Sequence, residues 1–69
     1  MFAHLIHTTE GHNKFWTVTV SGGLVTCAWG KRGSWTQTKT FDFRYMTDAR
    51  IFAIKKMRSK LAKGYTRLA

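Results

Sequence analysis

The sequence has no proline, a single cysteine and only three acidic residues among its 69. Each shortage excludes something. Disordered and linker-like chains lean on proline and glycine, and a chain with no proline and six scattered glycines reads instead as a packed domain spanning residues 1–69. The lone Cys27 cannot close an intramolecular disulfide, which fits a reducing compartment. Its place inside an apolar run makes it a small core residue rather than a reactive thiol. Glu10, Asp42 and Asp48 are scattered, no serine or cysteine has an evident base, and no glycine-rich phosphate loop opens a helix. A non-enzymatic chain is therefore expected. No apolar run approaches the length of a membrane span and the N-terminus lacks a signal-peptide core, so the expectation is a complete, cytoplasmic chain without a membrane partner.

What the chain has in excess is positive charge. Twelve Lys and Arg give a formal net charge of +9, and all but Lys14 lie at or beyond Lys31. Solubility alone is the bland explanation, but ordinary soluble surfaces mix the two signs. Self-repulsion of this size points to a polyanionic partner, nucleic acid before anionic membrane. A chain this short buries only about 60% of its unfolded surface. Ten aromatic residues (five Phe, three Trp, two Tyr) compensate in part.

The periodicity changes once along the chain. Residues 2–9 (FAHLIHTT) have strand composition, and residues 10–13 read as a turn. Residues 14–20 (KFWTVTV) alternate, with Trp16, Val18 and Val20 on one face. Ser21-Gly22-Gly23 is a hairpin signal, and residues 24–29 (LVTCAW) form a third strand with Val25, Cys27 and Trp29 on one side. Residues 35–43 (WTQTKTFDF) form a fourth, Thr36, Thr38 and Thr40 on one face and Trp35, Gln37, Lys39 and Phe41 on the other; neither face is purely apolar. From residue 48 to 63 the pattern is helical, with Thr47 as the expected N-cap, Asp48 at the positive end of the dipole, and Gly64 as the C′ residue. Ala53, Ile54, Met57 and Leu61 are expected to face the sheet, with Arg50 beside them reaching solvent. Lys55, Lys56, Arg58, Ser59 and Lys63 are placed outward, and Phe52 among them. The fold class is α+β: an antiparallel sheet of about four strands with one C-terminal helix packed on it.

The tip Trp29-Gly30-Lys31-Arg32-Gly33, followed by Trp35, joins rings, cations and glycines in one short stretch. Cations attract phosphate, and an indole offers a flat face to a sugar or base. Together with Asn13-Lys14-Phe15-Trp16, Gln37 to Phe41 (QTKTF), Ala49 and Lys63-Gly64-Tyr65, this stretch resembles the WGR domain. The module occurs in DNA-dependent poly(ADP-ribose) polymerases and in small stand-alone bacterial proteins. The likeness covers residues 5–66, with Lys31 where the naming motif has arginine and Thr36 where a glycine often precedes the glutamine. It implies an antiparallel sheet with a packed helix, and nucleic-acid binding, DNA favoured over RNA and at ends or nicks. By the same resemblance Trp29 is the stacking residue and Lys31 the phosphate partner. Lysine keeps the charge but not arginine's planar fork, which Arg32 could supply. A nucleoid-associated location follows if the source is bacterial.

The candidate nucleic-acid contacts are thus Trp29, Gly30, Lys31, Arg32, Trp35 and Lys39. Trp29 shares a face with Val25 and Cys27, so core packing and ligand stacking both stand as readings. A second hypothesis makes the basic face of the helix, Phe52 with Lys55, Lys56 and Arg58, a docking surface for an acidic protein; its rival is a partly covered aromatic among solvated charges. His4, His7 and His12 do not suggest a metal site, because His4 and His7 project to opposite faces of a strand. No cofactor is called for.

Overall fold

The cleanest alternation in the chain, over residues 14–20, becomes the middle strand. In the computed structural model, which describes residues 1–69, the element order is β1 (Phe2–His7), β2 (Lys14–Ser21), β3 (Leu24–Lys31), β4 (Thr36–Asp42), α1 (Met46–Ala62) and β5 (Thr66–Arg67). The strands form one sheet in the order β4-β3-β2-β1-β5, every pair antiparallel. The α+β class and the four main strands agree with the sequence reading. β5 is additional: two residues are too few to alternate. It is held by pairing with β1 and by backbone bonds from Leu68 N to His4 O (2.8 Å) and from His4 N to Ala69 O (2.9 Å).

Register sorts the side chains. Leu5, Trp16, Trp29 and Gln37 lie in one row across the sheet, Ala3, Val18, Cys27 and Lys39 in the next, and Val20, Val25 and Phe41 in the third. These rows face α1, and with Ala49 and Ala53 their apolar members make the buried core. Leu5, Val18 and Val25 are fully buried, each worth about 1.5–3 kcal/mol relative to exposure. The two-sided β4 is resolved by its partners: Phe41 pairs with buried Val25 and therefore faces the helix, leaving Thr36, Thr38 and Thr40 on the uncovered side. That uncovered face holds Phe2, His4 and Ile6, Phe15, Thr17 and Thr19, and Leu24, Thr26 and Ala28, and no Lys or Arg. The cations lie on the helix, at the loops and edges, or on the helix-facing side of the strands.

α1 departs from the sequence reading in two ways. It starts earlier, at Met46, with an extended Tyr45 (φ −119°, ψ 138°) as N-cap and no side-chain capping bond, so Thr47 is a helical residue and not the cap. The Ala49 N–H already donates to Tyr45 O at 3.2 Å. The C-terminus is as expected: Lys63 caps it and Gly64 follows at φ 103°, a left-handed conformation that favours glycine.

The second difference concerns the buried face. Ala49 and Ala53 are fully buried, Phe52 and Met57 pack on the core, and Lys60 is half-buried, whereas Leu61 is 40% exposed. At roughly 100° per residue the helix is turned by about a quarter from the expected orientation. Two alanines four apart let its backbone come close to the sheet, which apolar residues of greater bulk at Ile54 and Leu61 would not. Arg50 is exposed. No helix is long and apolar enough to cross a membrane.

Candidate nucleic-acid interface

Trp29 does not sit at the hairpin tip. It is paired inside the sheet, opposite Trp16 on β2 and Gln37 on β4. The ring is half-buried: it packs against the core on one side and lines two surface clefts on the other. The core contact is thus present, and part of the ring stays accessible at the clefts. Its neighbour must be glycine for a packing reason, since a Cβ on Gly30 would land on the carbonyl oxygen of Trp35. Lys31 faces Lys14 directly across the β2–β3 ladder, a like-charge pair that destabilises a sheet. Beyond it, the tip is tied down by Arg32 N–H donating to Asn13 O at 2.8 Å and Ser34 N–H to Lys31 O at 3.1 Å. Arg32 is exposed, and Trp35, 88% exposed, stands away from both clefts.

The first cleft, about 570 Å³, opens between the hairpin end and the C-terminal turn of α1. Lys14, Lys31 and Lys60 converge on it with Trp29, His12 and Tyr65, and no carboxylate lines it. A ring cluster braces its wall: His7 lies 4.3 Å from His12 and 5.2 Å, edge-on, from Tyr65, and Lys60 Nζ is 5.6 Å from the Tyr65 ring centre. Burial pushes the Lys60 ammonium below the ordinary lysine value, and Lys63, Lys56 and Lys14 push the same way. This site accumulates positive charge with nothing negative to offset it. Such a concentration of positive charge attracts anions.

The second cleft, about 280 Å³, lies between α1 and the β3–β4 hairpin. Four rings wall it, Trp16, Trp29, Phe41 and Phe52, with Cys27 at its base. Lys39, Lys56 and Lys60 border it. Phe41 and Phe52 are 4.6 Å apart between ring centres, Lys39 Nζ is 5.1 Å from the Phe41 ring and Lys56 Nζ 5.5 Å from Phe52. Burial raises the Cys27 thiol above its ordinary value, against a lowering pull from Lys56 and Lys60. It is a core thiol, as expected.

The structure thus brings together some of the sequence candidates and separates others. Trp29, Gly30 and Lys31 share the first cleft, and Trp29 and Lys39 the second; Lys39 is not at the tip but half-way along β4, opposite Cys27. Arg32 and Trp35 join neither cleft. Phe52 is not an outward anchor among helix cations: it is half-buried against Phe41 and Phe43. Lys56 lies beside it at the second cleft, while Lys55 and Arg58 are exposed and line neither cleft. Sequence reasoning missed Lys14, Lys60, His12 and Tyr65. Lys14 had a signal, because it alternates in phase with Trp16 and so points to the helix side. Lys60 had one too, four residues after Lys56 and seven after Ala53, on the stripe that faces the sheet.

A five-stranded antiparallel sheet, one packed helix and an all-cationic cleft beside a half-buried indole define a small α+β binding domain. The chain belongs to the WGR domain family, whose model matches residues 1–69, the whole chain. WGR domains are, as a class, nucleic-acid-binding modules rather than catalytic ones. Among solved structures, a crystal structure of a Bacteroides fragilis protein matches with a TM-score of 0.91 at 29% sequence identity. The match covers 100% of this chain and 20% of that one, so this chain spans about a fifth of the Bacteroides protein's length. A comparison with curated proteins returns no match.

Proposed function

We propose that this domain binds DNA through its phosphates, with Trp29 placed against a sugar or base at an end or nick. The observation that carries the reading is the convergence of Lys14, Lys31 and Lys60 on one cleft walled by Trp29 and free of carboxylates. Three unneutralised cations cost folding energy through mutual repulsion, and a phosphate removes that cost. Lys39 extends the track along β4, and the exposed Arg32 and Trp35 lie beyond the cleft where a longer strand would continue. The uncovered sheet face, without Lys or Arg, turns away from the polyanion.

Phosphate contacts orient a protein without reading sequence, so base preference is weak. DNA is favoured over RNA, and a nucleoid-associated place in the cytoplasm accords with such a role. Titration of labelled duplex at several salt concentrations tests the reading. Engagement of four to six phosphates gives a log–log salt slope of about −4 to −5. A flat response would remove the electrostatic basis of the proposal.

A further inference from the structure

The second cleft is chemically unlike the first and calls for a different ligand group. Its walls are aromatic, its border is cationic, and its volume of about 280 Å³ sits near the lower end for small-molecule pockets, ~300 Å³. That is room for one flat ring system and not for a base pair or a helix. A stacked, paired base cannot enter from within a duplex, so the ring must come from an unpaired nucleotide. We propose that this cleft is a nucleobase pocket: one unpaired base inserts among Trp29, Phe41 and Phe52 while its phosphate meets Lys39, Lys56 and Lys60. The proposal rests on the nucleic-acid reading above and adds to it a site for a base rather than for backbone.

Three observations carry it. First, Trp29 and Lys60 line both clefts, so the two are adjoining compartments, a polar one for phosphate and sugar and an aromatic one for the ring. Second, the Lys39 and Lys56 ammoniums lie 5.1 and 5.5 Å from the Phe41 and Phe52 ring centres. They occupy ring faces in the free protein and exchange them for a phosphate when a base takes their place. Third, the cleft is walled by Trp16, Trp29, Phe41 and Phe52 and bordered by Lys39, Lys56 and Lys60, a lining without a side-chain carbonyl, carboxylate or hydroxyl. It offers ring faces and N–H donors but no oxygen acceptor for a base edge, so it holds bases chiefly by stacking, purines above pyrimidines by ring area. An acidic peptide would use the lysines but leave four rings idle.

Two-dimensional NMR of the full chain tests this with five probes: a blunt duplex, the same duplex with a one-nucleotide 3′ adenine overhang, the same with an abasic overhang, free dAMP, and decanoate. The blunt duplex is expected to move signals of the first cleft, among them Lys14, Lys31, Lys60, Trp29 and Tyr65, and to leave those of Phe41, Phe52 and Cys27 in place. The adenine overhang additionally moves Phe41, Phe52 and Cys27 and tightens binding about tenfold, the gain of one stacked base; the abasic overhang restores the blunt pattern. Phe52→Leu is expected to abolish the overhang-to-blunt affinity ratio. Lys56→Met, at an exposed position that tolerates change, reduces the same ratio should the first variant not fold.

Shifts at Phe41 and Phe52 with dAMP as strong as with the overhang identify a free nucleotide as the source, with the same pocket. Blunt duplex binding with a ratio of one and unmoved Phe52 signals overturns the pocket and leaves the DNA reading standing. Failure of every DNA probe overturns both. Binding of decanoate at Phe52, without any effect of the overhang base, makes the cleft an acyl-chain site and refutes the proposal.

Discussion

Replacing Lys60 with methionine should stabilise the fold and weaken nucleic-acid binding at the same time. Lys60 is half-buried and stands among Lys56, Lys63 and Lys14, all of which disfavour its charge. Lys56 is its i−4 neighbour on α1 and Lys63, the C-cap residue, its i+3 neighbour, and each such like-charge pair costs about 0.2–0.5 kcal/mol. Removing the ammonium relieves ~0.4–1 kcal/mol from these two pairs alone, and methionine keeps an unbranched stem over the aromatic cleft. For a domain of this size 1 kcal/mol is about 4–8 °C, so Tm should rise by ~2–8 °C at low salt.

The pH dependence has a definite sign. A lysine whose folded pKa is lowered holds its proton less tightly in the folded state than in the unfolded chain. Its penalty is fully present below the lowered value and disappears as pH rises through that value to the ordinary lysine value of 10.5. The advantage of the variant over the wild type therefore exists at neutral pH and shrinks in alkaline buffer. It also shrinks at about 1 M salt, where the Debye length is ~3 Å. Against DNA the same substitution removes one phosphate partner and should flatten the salt slope by about 0.9. Scanning calorimetry at two salt concentrations, with binding titrations beside it, reads both effects. A lower Tm at low salt, or a gain indifferent to salt, would refute the claim that Lys60 sits in an uncompensated cationic field.

Other consequences can be read directly. Gly30→Ala forces a Cβ onto the Trp35 carbonyl and should cost ~1–3 kcal/mol, seen as a lower urea midpoint. Trp29→Ala, with folding verified by circular dichroism, should weaken DNA binding by about 1–3 kcal/mol; unchanged affinity would reject the stacking role. Trp35→Ala, at an 88% exposed position, should leave stability within about 0.5 kcal/mol of the wild type. Cys27 is 4% exposed and its thiol is raised by burial, so iodoacetamide should label it slowly in the native protein and faster across the urea unfolding transition.

Much of the fold was written in short-range pattern. Alternation over residues 14–20 and 24–29, the Ser21-Gly22-Gly23 turn and the Asp48–Gly64 helical stretch define a sheet and a helix by themselves, because side-chain period and turn conformation are local properties. The Trp29–Gly33 stretch likewise pointed to the WGR family, a nucleic-acid-binding class, and to the residue around which the two clefts form. Which residues meet was a different matter. β4 carried apolar and polar residues on the same face, and only its pairing with Val25 and Cys27 turned Phe41 and Lys39 toward the helix. The orientation of α1 could not come from hydrophobicity, since its closest approach to the sheet is made by the smallest side chains, Ala49 and Ala53, and that contact swings Phe52, Lys56 and Lys60 inward. Charge is a property of composition, but its convergence on one cleft depends on how far two backbones can approach, which tertiary packing alone decides.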